Sequence, residues 1–215
     1  MSFLLALALT ARIVPGTPPS IELTNTGSQP ITAWSVAVVS PNAQGGTHRE
    51  THTADSYLAE VTRNLPRAPQ HLDWLQPGAS TRIPVDAAPE GATVEIVAVI
   101  FADRTAEGDP QTVQTFFAHR RVERDQLRDV SEAFDRVLSA QRGLAALKAL
   151  QQRFADAAAD SVPHQTAREA VATYLAQAER GAEGAESADQ QMRQYAAFVK
   201  KQYELAATHA DRAIR

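Results

Sequence analysis

"FADRTAEGDP", residues 101–110, is where the reading of this chain divides. Upstream lies the apolar run "VEIVAVIF"; downstream, apolar residues recur at threes and fours. Asp103, Glu107 and Asp109 crowd into seven residues, which raises the choice between a metal site and a joint. The joint has a physical rationale. In "EGDP", Asp109 stands at the N-cap position, where its carboxylate accepts from free backbone N–H groups, and Pro110 stands at the first helical position, where its missing N–H costs nothing. Asp103 and Arg104 make the turn that leaves the preceding strand. Alternation of Asp103, Thr105, Glu107 and Asp109 invites a calcium reading, but the loop lacks the glycine and the distal bidentate glutamate of an EF-hand. Asp103, Asp109 and Pro110 are therefore read as a structural junction.

Composition agrees with a boundary there. Residues 1–109 carry 6 Lys+Arg against 11 Asp+Glu and ten of the 12 prolines, whereas residues 110–215 carry 15 against 14 and two prolines. The chain has 215 residues, a net charge of −4 and 44% hydrophobic residues, room for one large or two modest domains with no charge bias toward nucleic acid. It contains no cysteine, which removes disulfides, thiolate metal sites and a cysteine nucleophile. No segment approaches the roughly 20 apolar residues of a membrane-spanning helix. The stretch "MSFLLALALTARIVPG" reads in two ways: as the remnant of an export signal, or as a first strand with Leu5, Leu7 and Leu9 on one face.

The first half alternates short apolar runs with Gly- and Pro-bearing breaks: "SIELTN", "ITAWSVAVV" (with one slip in its alternation), "STRIPV" and "TVEIVAVIF". That spacing predicts antiparallel strands in a sandwich or barrel. Within it, "LTNTGSQPITAWSVAVV" gives strand, tight turn and a strand bearing Trp34, and "LQPGASTRIPV" gives a Pro-Gly turn entering a strand. These two stretches resemble the immunoglobulin-like and fibronectin-III-like modules of bacterial envelope proteins. The resemblance covers residues ~1–109 and implies an Ig-like β-sandwich. Trp34, inside an alternating apolar strand, is expected in the core.

From Pro110 onward the period becomes helical. Val113, Phe116, Phe117, Leu127, Val130, Phe134, Leu138, Leu147, Leu150 and Phe154 mark one apolar stripe, and no proline interrupts residues 111–162. The expectation is a helix over ~110–159, about 75 Å long, then helices over ~164–181 and ~187–213. Thr166 with Glu169, and Ser187 with Gln190, have capping-box spacing, Ser161 before Pro163 is an alternative start for the second helix, and "GAEGAE" reads as a turn. The fold class is thus α+β: an N-terminal Ig-like sandwich, residues 1–109, followed by an antiparallel helical bundle or coiled-coil stalk, residues 110–215. The later helices are too short to cover the stripe near Leu127, Val130 and Phe134 unless the chain bends at Gly143 or the first half folds against it, which leads to an expected homodimer.

Candidate chemistry is sparse. "THRETHTAD", residues 47–55, holds His48, Glu50 and His52 as possible metal ligands, with Asp55 beside them, in the order H-x-E-x-H rather than that of zinc proteases. The preceding "SPNAQGG" suggests loop or strand, in which these positions also align, and the bland reading is an exposed polar loop. Trp74 in "HLDWLQPG" is a candidate binding surface. Ser, His and Asp occur, but no spacing connects them into a catalytic set. The leading expectation is a non-enzymatic interaction or scaffold protein with a protein partner, a second copy included, and with no cofactor and no nucleic acid. A periplasmic or extracellular setting is favoured over a cytoplasmic one. The alternatives are a metal-dependent hydrolase using the His48–His52 loop and a carbohydrate- or peptide-binding module using Trp74.

Overall fold

The computed structural model describes residues 8–42, 45–61, 74–86, 90–156 and 161–213. The fold is α+β, with two antiparallel sheets in the N-terminal part and the long helices in the C-terminal part. The chain forms two compact units: one of residues 1–57, 71–118 and 211–215, the other of residues 58–70 and 119–210.

The first unit contains strands β1 (Leu9–Val14), β2 (Ser20–Asn25), β3 (Ile31–Pro41), β4 (Thr47–Asp55), β5 (Ser80–Pro84), β6 (Thr93–Phe101) and β7 (Ala106–Gly108). They build a three-stranded sheet in the order β1-β2-β5 and a four-stranded sheet in the order β4-β3-β6-β7. Leu9, Ile21 and Leu23 from the first sheet share one core with Val36, Val38, Val99 and Phe101 from the second. Trp34 packs against that core, as its alternating strand predicts. Leu4–Leu7, the early part of the expected first strand, lie outside the described residues.

The slip in "ITAWSVAVV" has a structural cause. Ile31 pairs with Phe101 and Ala33 with Ile100, so Thr32 is an extra residue on β3. Ser35 then pairs with Ala98 and Val36 with Ile96, so Val97 is an extra residue on β6. Each bulge moves the following residues to the opposite face. Val94 and Ile96 therefore share the inter-sheet core with Val99 and Phe101, while Ala98 and Ile100 face the other way.

That other face is covered by the start of α2 (Pro110–Ala140): Val113, Phe116 and Phe117 pack on Ala33, Ala98 and Ile100. Here the structure departs from a division at residue 109. The period changes at Pro110, but the first turns of α2 belong to the sheet's hydrophobic core. A short helix, α1 (Ser56–Val61), follows β4 without pause.

The helical unit corrects the single helix expected over ~110–159. The chain breaks after Ala140, and α3 (Gly143–Arg153) is a separate helix. Gly143 starts it at φ 58°, a left-handed conformation that glycine adopts without strain. α4 (Val162–Ala178) begins just after Ser161 with Pro163 in its first turn, so Thr166 lies inside the helix rather than at its cap. α5 (Ala182–His209) starts five residues before the expected position. The "GAEGAE" stretch is its first turn rather than a linker, because Gly184 comes against Gln177; a Cβ there would lie 2.5 Å from the Gln177 carbonyl oxygen. Ser187 is consequently mid-helix, its hydroxyl accepting from Gln177 and Gln191.

Helices α3, α4 and α5 pack on one another, and the stripe of α2 is covered within the chain. Leu127, Val130, Phe134, Leu147, Leu150 and Phe154 are all buried. Phe134 sits 5.4 Å from the ring of Phe154 and 5.7 Å from that of Tyr195. Among the described residues, Val122 and Val162 are the large apolar side chains left exposed. The surplus stripe that motivated a homodimer is absent, because the break at 141–142 lets α3 return instead of extending α2. Among the described residues no helix is long and apolar enough to cross a membrane.

Candidate functional site

The acidic loop at 101–110 forms a joint of defined geometry. Asp103 Oδ1 accepts from the Thr105 amide at 2.9 Å and its hydroxyl at 2.6 Å, closing a turn in which Arg104 adopts φ 67°. Asp109 Oδ2 accepts from the Thr112 amide at 2.8 Å and hydroxyl at 2.7 Å, the capping geometry expected at the start of α2. These Thr112 bonds hold the Asp109 carboxyl below the usual range. Between the two turns the loop contains strand β7, which the sequence does not announce. Glu107 Oε2 accepts from the Ala8 amide at 3.1 Å, so each of the three acids has a structural partner.

"THRETHTAD" is strand β4 rather than a loop. Register places His48, Glu50 and His52 opposite Ser40, Val38 and Val36, so all three share one strand face. His52 Nε2 lies 3.3 Å from Glu50 Oε1, whereas Asp55 turns away to accept the Tyr57 amide at 3.0 Å and start α1. Among the described residues no group of three or more His, Asp or Glu side chains is placed to hold a metal ion. Trp74 is half-buried beside Leu75, whose amide and carbonyl both bond to Ile31 at 3.0 Å. Trp74 is thus tied to the sandwich core through its neighbour.

Tertiary structure does bring together a serine, a histidine and an aspartate that no sequence spacing connects. Ser161 Oγ lies 2.6 Å from His164 Nδ1, and His164 Nε2 lies 2.8 Å from Asp129 Oδ2. Arg153 grips the same carboxylate at 3.1 and 3.2 Å. The His164 hydrogen bond, aided by the Arg153 charge, holds Asp129 below the usual carboxylate range. A nucleophilic triad needs its hydroxyl open to substrate and its carboxylate buried. Here Ser161 is 3% exposed and the Asp129 side chain 49% exposed, the reverse arrangement. The cluster joins α2, α3 and α4 as a tertiary pin.

The helical unit also contains a cleft between α2, α4 and α5. Leu127, Val130, Val162, Pro163, Phe198 and Val199 supply its apolar lining. Glu123, Gln202, Thr166 and the Tyr195 ring complete it; the cleft opens to solvent, and its enclosed room is about 20 Å³. Glu123 Oε1 and Gln202 Oε1 are buried and, among the described residues, accept no hydrogen bond. Burial pushes the Glu123 carboxyl above the usual range and keeps the Tyr195 phenol protonated.

Of the cleft residues, Glu123 and Gln202 are not singled out by the sequence, yet a signal is present. Glu123 lies in phase with Leu127, Val130 and Phe134, and Gln202 in phase with Tyr195, Val199 and Ala206. A polar residue at the apolar phase of a helix is a buried polar group in waiting. No protein-family model matches the chain, and no significant similarity links it to a curated protein or to a solved structure.

Proposed function

We propose that the chain is a non-enzymatic interaction protein whose β-sandwich receives an extended segment of a protein partner along β4. One observation carries this reading. β4 ends the four-stranded order and, among the described residues, pairs on one side only, with β3 over nine consecutive positions from Thr47 to Asp55. The other edge of such a strand offers unpaired backbone donors and acceptors, which an added strand satisfies. Its side chains are polar and of mixed charge, and Arg49 is paired with Glu95. Such an edge stays solvated alone and discriminates partners by charge.

The strand order supports the finer assignment as well. A three-stranded sheet β1-β2-β5 facing a four-stranded sheet β4-β3-β6-β7 is the arrangement of fibronectin-III-like modules, in which the fourth strand joins the second sheet. The bacterial, extracytoplasmic setting rests on that same resemblance. The test is selection of extended peptides from a displayed library, followed by amide exchange of the complex by NMR. Strand addition slows alternate amides between Thr47 and Asp55. Selected peptides that protect other surfaces, or a library that yields none, defeat the reading.

A further inference from the structure

We propose that the cleft between α2, α4 and α5 is a binding site for a small organic ammonium ion with a short apolar body. The site is independent of β4, and its ligand is specified by what its walls lack. Glu123 and Gln202 each present a buried side-chain oxygen with no donor among the described residues. Acceptors removed from water without partners cost free energy that a ligand donor recovers. Among the described residues the lining contains no Lys or Arg, so none of them neutralises Glu123. Among the described residues, Glu123 and Tyr195 are the ionisable groups that line it, and the phenol is protonated.

The required ligand therefore carries N–H donors and a positive charge at one end. The rest of the lining, including Leu127, Val130 and Val199, calls for an apolar body. Phe198 and Tyr195, with ring centroids 6.3 Å apart, add aromatic surface that attracts a cation. The enclosed room, about 20 Å³, admits only a water-sized group, so the ammonium head enters and the apolar body lies along the open mouth. Val162, nearly half-exposed, stands at the edge of the cleft. An ammonium entering beside Glu123 favours the carboxylate over the carboxylic acid, so binding and deprotonation of Glu123 are linked.

The experiment titrates n-butylammonium and benzylammonium, with n-butanol as the neutral comparison, into the full chain and follows methyl resonances by NMR. The expected result is saturable shifts of Leu127, Val130 and Val199 at millimolar ammonium, with affinity rising as pH increases through the Glu123 titration. Glu123→Gln, which keeps size and removes charge, weakens binding about tenfold or more while the melting curve shows the variant folded. Three outcomes overturn the proposal: no saturable shift, equal binding of n-butanol, or equal binding by Glu123→Gln. A Gln202 side-chain amide that donates to Glu123 also overturns it, seen as a Gln202 NH₂ resonance shift in Glu123→Ala together with no ammonium binding.

Discussion

Asp189 and Arg193, one turn apart on α5 and 2.9 Å from each other, close both ends of the break between α2 and α3. Asp189 Oδ1 accepts from the Gly143 amide at 2.8 Å, at the start of α3. Arg193 donates to the Leu138 carbonyl at 2.9 Å and the Gln141 carbonyl at 3.2 Å, at the end of α2. Each helix end leaves groups that no intrahelical bond satisfies, and here one ion pair on a third helix serves both.

Removing the clasp should therefore act on the bundle as a whole. Arg193→Ala is expected to cost about 2 kcal/mol, since bonds from a charged donor to two carbonyls are lost. Asp189→Asn retains the shape and should cost about 1 kcal/mol. Urea unfolding measures both, and losses close to zero would show that water replaces the clasp at no cost.

The Asp129 pin sets a pH dependence. Its folded pKa lies below the usual carboxylate value, chiefly through the His164 hydrogen bond. The sign follows: its stabilisation is fully present above the unfolded pKa, about 4, and is lost as pH falls through the lower folded value. Glu123 has the opposite sign. Its folded pKa is raised by burial, so its cost to the native state appears as pH rises through that value. Melting curves from neutral pH down to about 2.5 should lose part of their acid slope in Asp129→Asn. Glu123→Gln should gain stability at neutral pH and not in acid. An unchanged slope in the first variant would remove the pin.

Gly108 is fixed by contact as well as conformation. It adopts φ 103°, and a Cβ would lie 2.2 Å from the Val97 carbonyl oxygen, the bulge residue whose carbonyl accepts the Asp109 amide at 2.7 Å. Gly108→Ala should cost more than about 2 kcal/mol. Gly78→Ala, at φ 76° with nothing within 4 Å, should cost only about 1 kcal/mol. Parallel chemical denaturation of the two variants separates crowding from backbone strain, and equal losses would mean that the bulge gives way.

Phe134 tests whether the stripe is covered within one chain. It is fully buried against Phe154 and Tyr195. Phe134→Ala should cost about 3–5 kcal/mol through the cavity it leaves, with no change of mass by light scattering. A parent dimer that this substitution dissociates would instead restore the intermolecular reading of the stripe.

Local chemistry alone determined much of this protein. Alternation placed "SIELTN" and "TVEIVAVIF" as the strands found, and "EGDP" contained its cap and first helical residue without help from elsewhere. These features rest on interactions within a few residues, so a window of sequence contains their physics. Strand β4 stays open between loop and strand in the sequence because its solvated side chains show no apolar alternation. Sequence offers a bend at Gly143 only as an alternative to one long helix, because the groups at the break at 141–142 are satisfied by Asp189 and Arg193, some fifty residues onward. The start of α5 escaped because glycine at 184 signals a turn locally and a close helix approach only in three dimensions. For the same reason the Ser161–His164–Asp129 pin and the Glu123–Gln202 cleft belong to the tertiary structure alone. Each gathers side chains whose partners, or lack of partners, exist only once separate helices have packed.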